Sequence, residues 1–395
     1  MKTRTGELFL IGALIGLCLC SSNAQVQKNH LFVQAPGSPI SITGGPSNVA
    51  IADMNKDGKP DIVVACGQGR SISVLLGTGD GRFILALKSP LSVAGSPSEM
   101  AVGDVNSDGR LDLAFADHDS YGVNLLLGDG QGSFASARDS AILMRDGNKP
   151  HTHGLEMGDV NGDDILDLVT VNNNDNDVSV ALGNGQGNFT RVPRSPFAVG
   201  QSPYPAALSD VNQDGHLDII ATTTMTGPSV SRTSISSRAL TILFGDGRGD
   251  FQRTDIQLRT REPWCVAVGD VNGDSKPDLV STHRESSPLT VLLGEGGGRF
   301  TEVEDSPFDL GRSAWRVVIV DVNSDGKADV VAAAGEGVRV KLGDGRGNFT
   351  PAPHSPYPTG KGTWRLAVGD LNGDGKPDVV TSNLESQTVT VFLCQ

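Results

Sequence analysis

The sequence predicts an all-β protein: a seven-bladed β-propeller with four-stranded antiparallel blades, closed by the N-terminal strand completing the last blade. Three observations predict it. One nine-residue pattern occurs seven times, with its first Asp at 53, 104, 159, 210, 270, 321 and 370, so the spacings are 51, 55, 51, 60, 51 and 49 residues. Periods of this size mark solenoids and propellers. Between the copies lie short β-branched runs and no amphipathic helix, and four-stranded units repeated radially make propeller blades. Finally, the chain stops one strand short of a seventh full unit, and the missing piece stands near its start.

The repeated pattern carries Asp at its first, fifth and ninth places and Asn at its third. In chain order this gives Asp53, Asn55, Asp57 and Asp61; Asp104, Asn106, Asp108 and Asp112; Asp159, Asn161, Asp163 and Asp167; Asp210, Asn212, Asp214 and Asp218; Asp270, Asn272, Asp274 and Asp278; Asp321, Asn323, Asp325 and Asp329; and Asp370, Asn372, Asp374 and Asp378. Oxygen donors two residues apart on a tight turn converge on one point, which is how a loop presents hard ligands to Ca2+. Up to seven Ca2+ ions, one per loop, are therefore expected. The sixth place wants a left-handed backbone and so a Gly, but Asp164 and Ser275 stand there in the third and fifth copies. Those two loops are the ones in which calcium binding is in question.

An EF-hand loop needs a bidentate Glu at place 12 followed by a helix. Place 12 here is Val64, Phe115, Thr170, Ala221, Ser281, Ala332 or Thr381. An apolar β-branched run comes directly after the ninth Asp instead, so the loop leads into a strand and that Asp supplies the late carboxylate. Metal-free Asx-turns are the alternative, opposed by the mutual repulsion of three carboxylates packed on one turn. Composition agrees with a cation. The net charge is -14 from 46 acids and 32 bases, and 21 of the acids are the three Asp of the seven loops. The remaining 25 acids face 32 bases, so the acidity is local, and nothing in the charge pattern suggests nucleic acid.

Residues 1–24 read as a secretory signal: Lys2 and Arg4, an apolar run over 8–20, then small residues Ser22 and Ala24 at the -3 and -1 places before cleavage. The run is too short to span a bilayer. Cys18 and Cys20 each follow Leu, which favours a free secreted or periplasmic protein over a lipid-anchored one. The mature domain is then 25–395. Its three cysteines, Cys66, Cys265 and Cys394, do not make a disulfide framework and are expected to be small buried apolar groups.

Within each unit the order is constant. A short apolar strand ends at the first Asp, the loop comes next, then a β-branched strand, a third strand, a Gly-rich turn and a Phe that opens the fourth. That Phe recurs at 83, 134, 189, 251, 300 and 349, and the chain ends before a seventh. Residues 32–39 (FVQAPGSP) match 83–90 (FILALKSP), so the N-terminal segment is expected beside residues 389–393. That pairing covers both free edges of the ring.

With these loops and strands in place, the chain resembles the FG-GAP or VCBS repeat family, the calcium-loop propellers typified by integrin α heads and found in many secreted bacterial proteins. The likeness covers about 31–395. It implies the seven-bladed fold and Ca2+ held by the Asp and Asn places above, with a backbone carbonyl at the seventh. It says little about activity, since the family includes adhesion heads, lectins and platforms of some polysaccharide lyases.

Function is to be sought where the units differ. The fourth unit expands its connection between second and third strands over 222–237, and the third carries an insertion at 138–150 followed by His151 and His153. Two His at i and i+2 invite a metal, but no neighbouring third His or Cys in the sequence completes a zinc set. Arg248, Gly249 and Asp250 look like an integrin-recognition tripeptide, yet they occupy the repeat's Gly-rich turn, where Arg346, Gly347 and Asn348 also sit. Asn188 and Asn348 head glycosylation sequons in the same repeat slot.

Six residues before each first Asp stand Ser47, Ser98, His153, Tyr204, Trp264, Trp315 and Trp364, so all three Trp of the chain share one place. It lies at the start of the innermost strand, on the face opposite the Asp loops. Arg316 and Arg365 follow it by one residue, and His118, Asn172, Asn173, His283 and Asn383 belong to connections on the same face. Two readings stand: packing wedges between blades, or a platform on which His153, Tyr204, Trp264, Trp315 and Trp364 stack on a ligand while Arg316 and Arg365 orient it. The expected function is a secreted, calcium-stabilised, monomeric binding or adhesion module for a glycan or protein, without catalysis. Two alternatives are a polysaccharide-lyase-like enzyme drawing on His118, His153, His283 and Arg316, and a structural subunit of a surface assembly.

Overall fold

A computed structural model describes residues 30–222, 239–260, 262–283, 288–311, 314–335 and 337–395. The predicted signal segment 1–24 lies outside the described residues, as does all of the 222–237 connection except Thr222. Seven antiparallel sheets follow one another around a ring, six of them built from one repeat each and the seventh from the last repeat joined by the N-terminal strands. Among the described residues no helix is long and apolar enough to cross a membrane.

Each blade is organised by its second strand, the β-branched run after the ninth Asp. In blade 1 this strand, Asp61–Cys66, is buried along its whole length. It pairs with the innermost strand Pro46–Ala52 on one side and Ser71–Gly77 on the other. A strand sandwiched on both faces reads as continuous apolar sequence rather than alternation. The buried side chains sort into seven clusters, each shared by neighbouring blades. Val49, Ile62, Val64 and Leu75 of blade 1 pack with Leu371, Val380 and Val391 of blade 7, for example.

The outer strand departs from the simple four-strand expectation. In five sheets it is split into two short pieces that pair with the same third strand. In blade 1 these are Phe83–Leu85 against residues 75–77 and Leu91–Ser92 against 71–72. Blades 2 and 4 keep it whole, as Phe134–Leu143 and Phe251–Gln257. The third strand meets the Asp loop at a Gly in six blades because a side chain there would strike the loop: a Cβ on Gly77 would lie 2.1 Å from the Pro60 carbonyl oxygen.

Blade 7 is completed by the start of the chain. Phe32–Gln34 and Ile40–Ser41 both pair with Thr388–Cys394, with Phe32 opposite Cys394 and Ile40 opposite Val389. Phe32 is buried with Tyr357 and Phe392 between blades 6 and 7. Cys66, Cys265 and Cys394 are buried within the sheets. Deleting residues 25–40 is expected to expose the Thr388–Cys394 edge and abolish monomeric folding. A deletion that elutes as a monomer on size-exclusion chromatography with unchanged melting would refute closure by this strand.

Candidate functional site at the channel mouth

The Asp loops occupy one end of the ring. In each, the first Asp accepts backbone N–H groups from the fifth and sixth places, as Asp57 N (3.1 Å) and Gly58 N (2.8 Å) do to Asp53. The third-place Asn and fifth-place Asp accept in turn from the fifth and seventh N–H, so all these oxygens face the turn. The ninth Asp is fully buried in all seven loops. Asp61 accepts Met54 N on Oδ2 and Gly77 N on Oδ1, which clamps the loop to the third strand. It is thus a structural clamp as well as a candidate ligand. Burial, and then the carboxylates at the fifth and first places, push Asp167, Asp218 and Asp378 up to about 6 against their backbone hydrogen bonds. An all-oxygen set of crowded carboxylates fits a hard cation.

The two loops in question keep the same backbone. Asp164 (φ 62°) and Ser275 (φ 63°) both adopt the left-handed conformation, and both donate to the first Asp at 2.7 Å. The reason is a second left-handed position at place four. Gly162 and Gly273 stand there in these two loops, whereas Lys56, Ser107, Gln213 and Ser324 stand there in loops that have Gly at place six. Each loop therefore retains at least one Gly for its two left-handed residues.

At the opposite end, the residue six before each first Asp is skipped by the strand pairing in six blades. The register jumps over Ser47, Ser98, His153, Trp264, Trp315 and Trp364. Such a bulge re-aims a side chain, and here it turns the residue over the channel. The aromatic members form one chain of ring contacts, with centroids 4.1 Å apart for His153–Tyr204, 4.1 Å for Tyr204–Trp264, 4.9 Å for Trp264–Trp315 and 4.5 Å for Trp315–Trp364. Where the arc reaches Ser47 and Ser98 it has no ring to continue it. There a cavity of about 300 Å³ opens, walled by Trp364, Tyr204, His153 and His118, with Ser47, Ser98 and Glu99 along its polar side. A larger hollow of about 870 Å³ lies at the Asp-loop end of blade 4, but it is lined by the repeat's own Gly-rich turn, including Asp246 and Asp250.

Five spans, 53–115, 104–170, 159–221, 270–332 and 321–381, match the FG-GAP-like repeat, each running from one Asp loop to just beyond the next. The chain belongs to the FG-GAP-like repeat family. No characterised protein matches it by sequence. Solved structures share the fold of this FG-GAP-like propeller at low identity. BBS1N in complex with ARL6DN is 12% identical over 92% of this chain and 97% of that one, with a TM-score of 0.58. A lectin of Agrocybe aegerita that recognises non-reducing terminal N-acetylglucosamine is 19% identical over 87% and 86%, with a TM-score of 0.55. Virginiamycin B lyase from Staphylococcus aureus is 11% identical over 91% and 99%, with a TM-score of 0.54.

Several residues expected at the mouth of the propeller lie elsewhere. Arg365 does not flank the aromatics on the surface: it is 3% exposed, inside the channel. Its Nε donates to Glu99 Oε1 at 3.1 Å, its Nη2 donates to the same oxygen, and Asn48 holds the other Glu99 oxygen. Its guanidinium also lies 5.4 Å from the Trp364 ring and 5.8 Å from the Tyr204 ring. Burial works against the charge of Arg365, and the Glu99 carboxylate outweighs it, holding the pKa above its ordinary value. Arg316 likewise faces the channel with Glu156, whose carboxyl burial pushes up to about 7 despite Arg316. Strand alternation explains both: the place after the bulge points inward.

Tyr204 and Trp264 are 5% and 4% exposed, which makes them packed members of the arc rather than displayed faces. Trp315, Trp364 and His153 keep part of their surface. Asn172, Asn173, His283 and Asn383 are buried too. Asn172 donates to Asp177, Asn383 to Thr390 and Asn173 to the Pro203 carbonyl, while His283 Nε2 lies 2.8 Å from Thr290 Oγ1. Each is engaged in hydrogen bonds within the protein and is not displayed to a ligand. Asp250 of the tripeptide pairs with Arg194 at 2.6 Å.

His118, from the second-to-third-strand turn of blade 2, does meet His151 and His153 of blade 3. The expectation that these two lack a third His is therefore wrong, because the partner comes from 33 residues earlier in the chain across a blade boundary. Burial, and then His151 and His118, hold the His153 pKa down to about 2. The insertion that leads into His151 is anchored at two points: Arg145 bridges to Asp177 at 3.0 Å, and Lys149 N donates to Tyr121 Oη at 3.2 Å.

Proposed function

We propose that this FG-GAP-like propeller is a secreted, calcium-stabilised binding module whose channel-mouth cavity takes the terminal unit of a glycan. The break in the aromatic arc at Ser47 and Ser98 carries the reading. A cavity of about 300 Å³ with Trp364 on its wall, beside Ser98, Glu99 and two His, supports an apolar sugar face stacking while hydroxyls are read by polar groups. The Agrocybe lectin contributes only its fold to this reading. Ca2+ in the Asp loops holds the blades in register at the other end, through the first-, third-, fifth- and ninth-place oxygens. Binding rather than catalysis is the reading because only two of the four lyase candidates, His118 and His153, share the cavity. His283 is engaged with Thr290 inside blade 5, and Arg316 faces the channel with Glu156.

A glycan array with and without EDTA identifies the sugar. Trp364→Ala is then expected to weaken that sugar about 2- to 13-fold, since stacking is worth about 0.5–1.5 kcal/mol beyond burial. The fold should persist, because Trp364 is only partly buried at the end of the arc. Titration calorimetry paired with thermal melts checks both. A Trp364→Ala protein that binds the array hit unchanged rules out this cavity. One that loses about 3–5 kcal/mol of stability marks Trp364 as a packing wedge.

A further inference from the structure

We infer that His118, His151 and His153 form a binding site for a divalent transition-metal ion of the Zn2+ class, separate from the Asp loops. One ring nitrogen from each of the three lies within 4.8 Å of the other two. His151 Nε2 and His153 Nε2 face each other at 2.6 Å. The ring centroids are 4.6 Å apart for His118–His151, 5.0 Å for His118–His153 and 4.2 Å for His151–His153. Three imidazoles with their nitrogens turned to one point make a borderline-soft donor set, which suits Zn2+, Cu2+ or Ni2+ and not Ca2+. Around a tetrahedral Zn2+ with bonds of about 2.0–2.1 Å the ligand nitrogens sit about 3.3 Å apart. To reach that spacing the 2.6 Å pair opens and the wider pairs close around the ion.

The backbone already places the three. His118 N donates to the Ser96 carbonyl at 3.0 Å, and the His151 carbonyl accepts Asn173 N at 2.9 Å. Thr152 Oγ1 ties the His-bearing strand to the Ser120 carbonyl at 3.0 Å. A carboxylate stands behind the ligands as well. Asp119 Oδ1 lies 2.9 Å from His118 Nδ1, so that nitrogen donates its proton and Nε2 is left with the lone pair. A carboxylate behind a ligating His fixes the tautomer in this way in known metal sites. Three protein ligands leave a fourth position open. Because His118 and His153 also wall the mouth cavity, that position is available to water or to an oxygen donor of a molecule in the cavity.

The test is a titration of Zn2+ into EDTA-stripped protein returned to excess Ca2+, which masks the Asp loops. The expected result is one equivalent bound at micromolar concentration or tighter, with Co2+ in its place giving the visible d–d absorption of a tetrahedral nitrogen site. His118→Asn, on an accessible turn, should weaken Zn2+ at least ~100-fold, and Asp119→Asn about 10-fold, the lower end for a carboxylate that orients a ligating His. Both variants are expected to melt as the parent does. Absence of Zn2+ binding, or binding that His118→Asn leaves unchanged, overturns the site. Sugar binding is measured without transition metal, so either result leaves the glycan reading standing on its own data.

Discussion

Chelation of calcium is expected to lower the melting temperature by roughly 20 °C or more. An ion that binds the folded but not the unfolded chain stabilises by mass action, about 2.7 kcal/mol per site at about 100 times its dissociation constant. Seven loops on one cooperative ring then contribute on the order of 15–20 kcal/mol. The physical reason for so large an effect is the buried ninth Asp. Its oxygens clamp the backbone, yet its charge is crowded by the first and fifth carboxylates, as at Asp378 beside Asp374 and Asp370. Without a cation that crowding destabilises the same loops that anchor every second strand. Asp374→Ala, which disables one loop, should cost about a seventh of full chelation. Thermal melts in Ca2+ and in EDTA decide it: an unchanged melt in EDTA means the Asx-type hydrogen bonds alone suffice.

Arg365→Met is expected to cost about 3–5 kcal/mol, because it leaves the Glu99 carboxylate buried without its cation. The side chains of this pair are only 4% and 11% exposed, and they join blade 7 to blade 2 across blade 1. Asn48 alone would remain on the Glu99 carboxylate. Replacing both partners by uncharged residues, as in Arg365→Met with Glu99→Gln, should recover most of the loss, since a buried pair is often worth little against an apolar substitute. Denaturant unfolding in Ca2+ measures the three proteins. A single variant within about 1 kcal/mol of the parent, or a double variant no better than the single, would show that channel water solvates Glu99.

The sequence by itself determined the fold and the Asp loops. Both are local: an Asp–Asn–Asp–Asp spacing, a β-branched run after it and a Gly–Phe turn each act within a few residues, and seven repetitions make the period unmistakable. Closure was legible for the same reason, since residues 32–39 carry the outer-strand pattern wherever they stand in the chain. Even the compensation between Gly162 and Asp164, or Gly273 and Ser275, is written in the loops, though its meaning needs the φ angles. The mouth was only half legible. A shared repeat place put the Trp on one ring, but the bulge that turns them over the channel, and sends Arg316 and Arg365 inward, is a property of strand pairing. What only the tertiary structure decided are contacts between blades. Glu99 meets Arg365 across 266 residues of chain, and His118 meets His151 and His153 from the neighbouring blade. Repeat grammar assigns each residue a place within its own blade. Which side chains share the volume where blades converge depends on ring closure, and ring closure brings together residues that no local spacing relates.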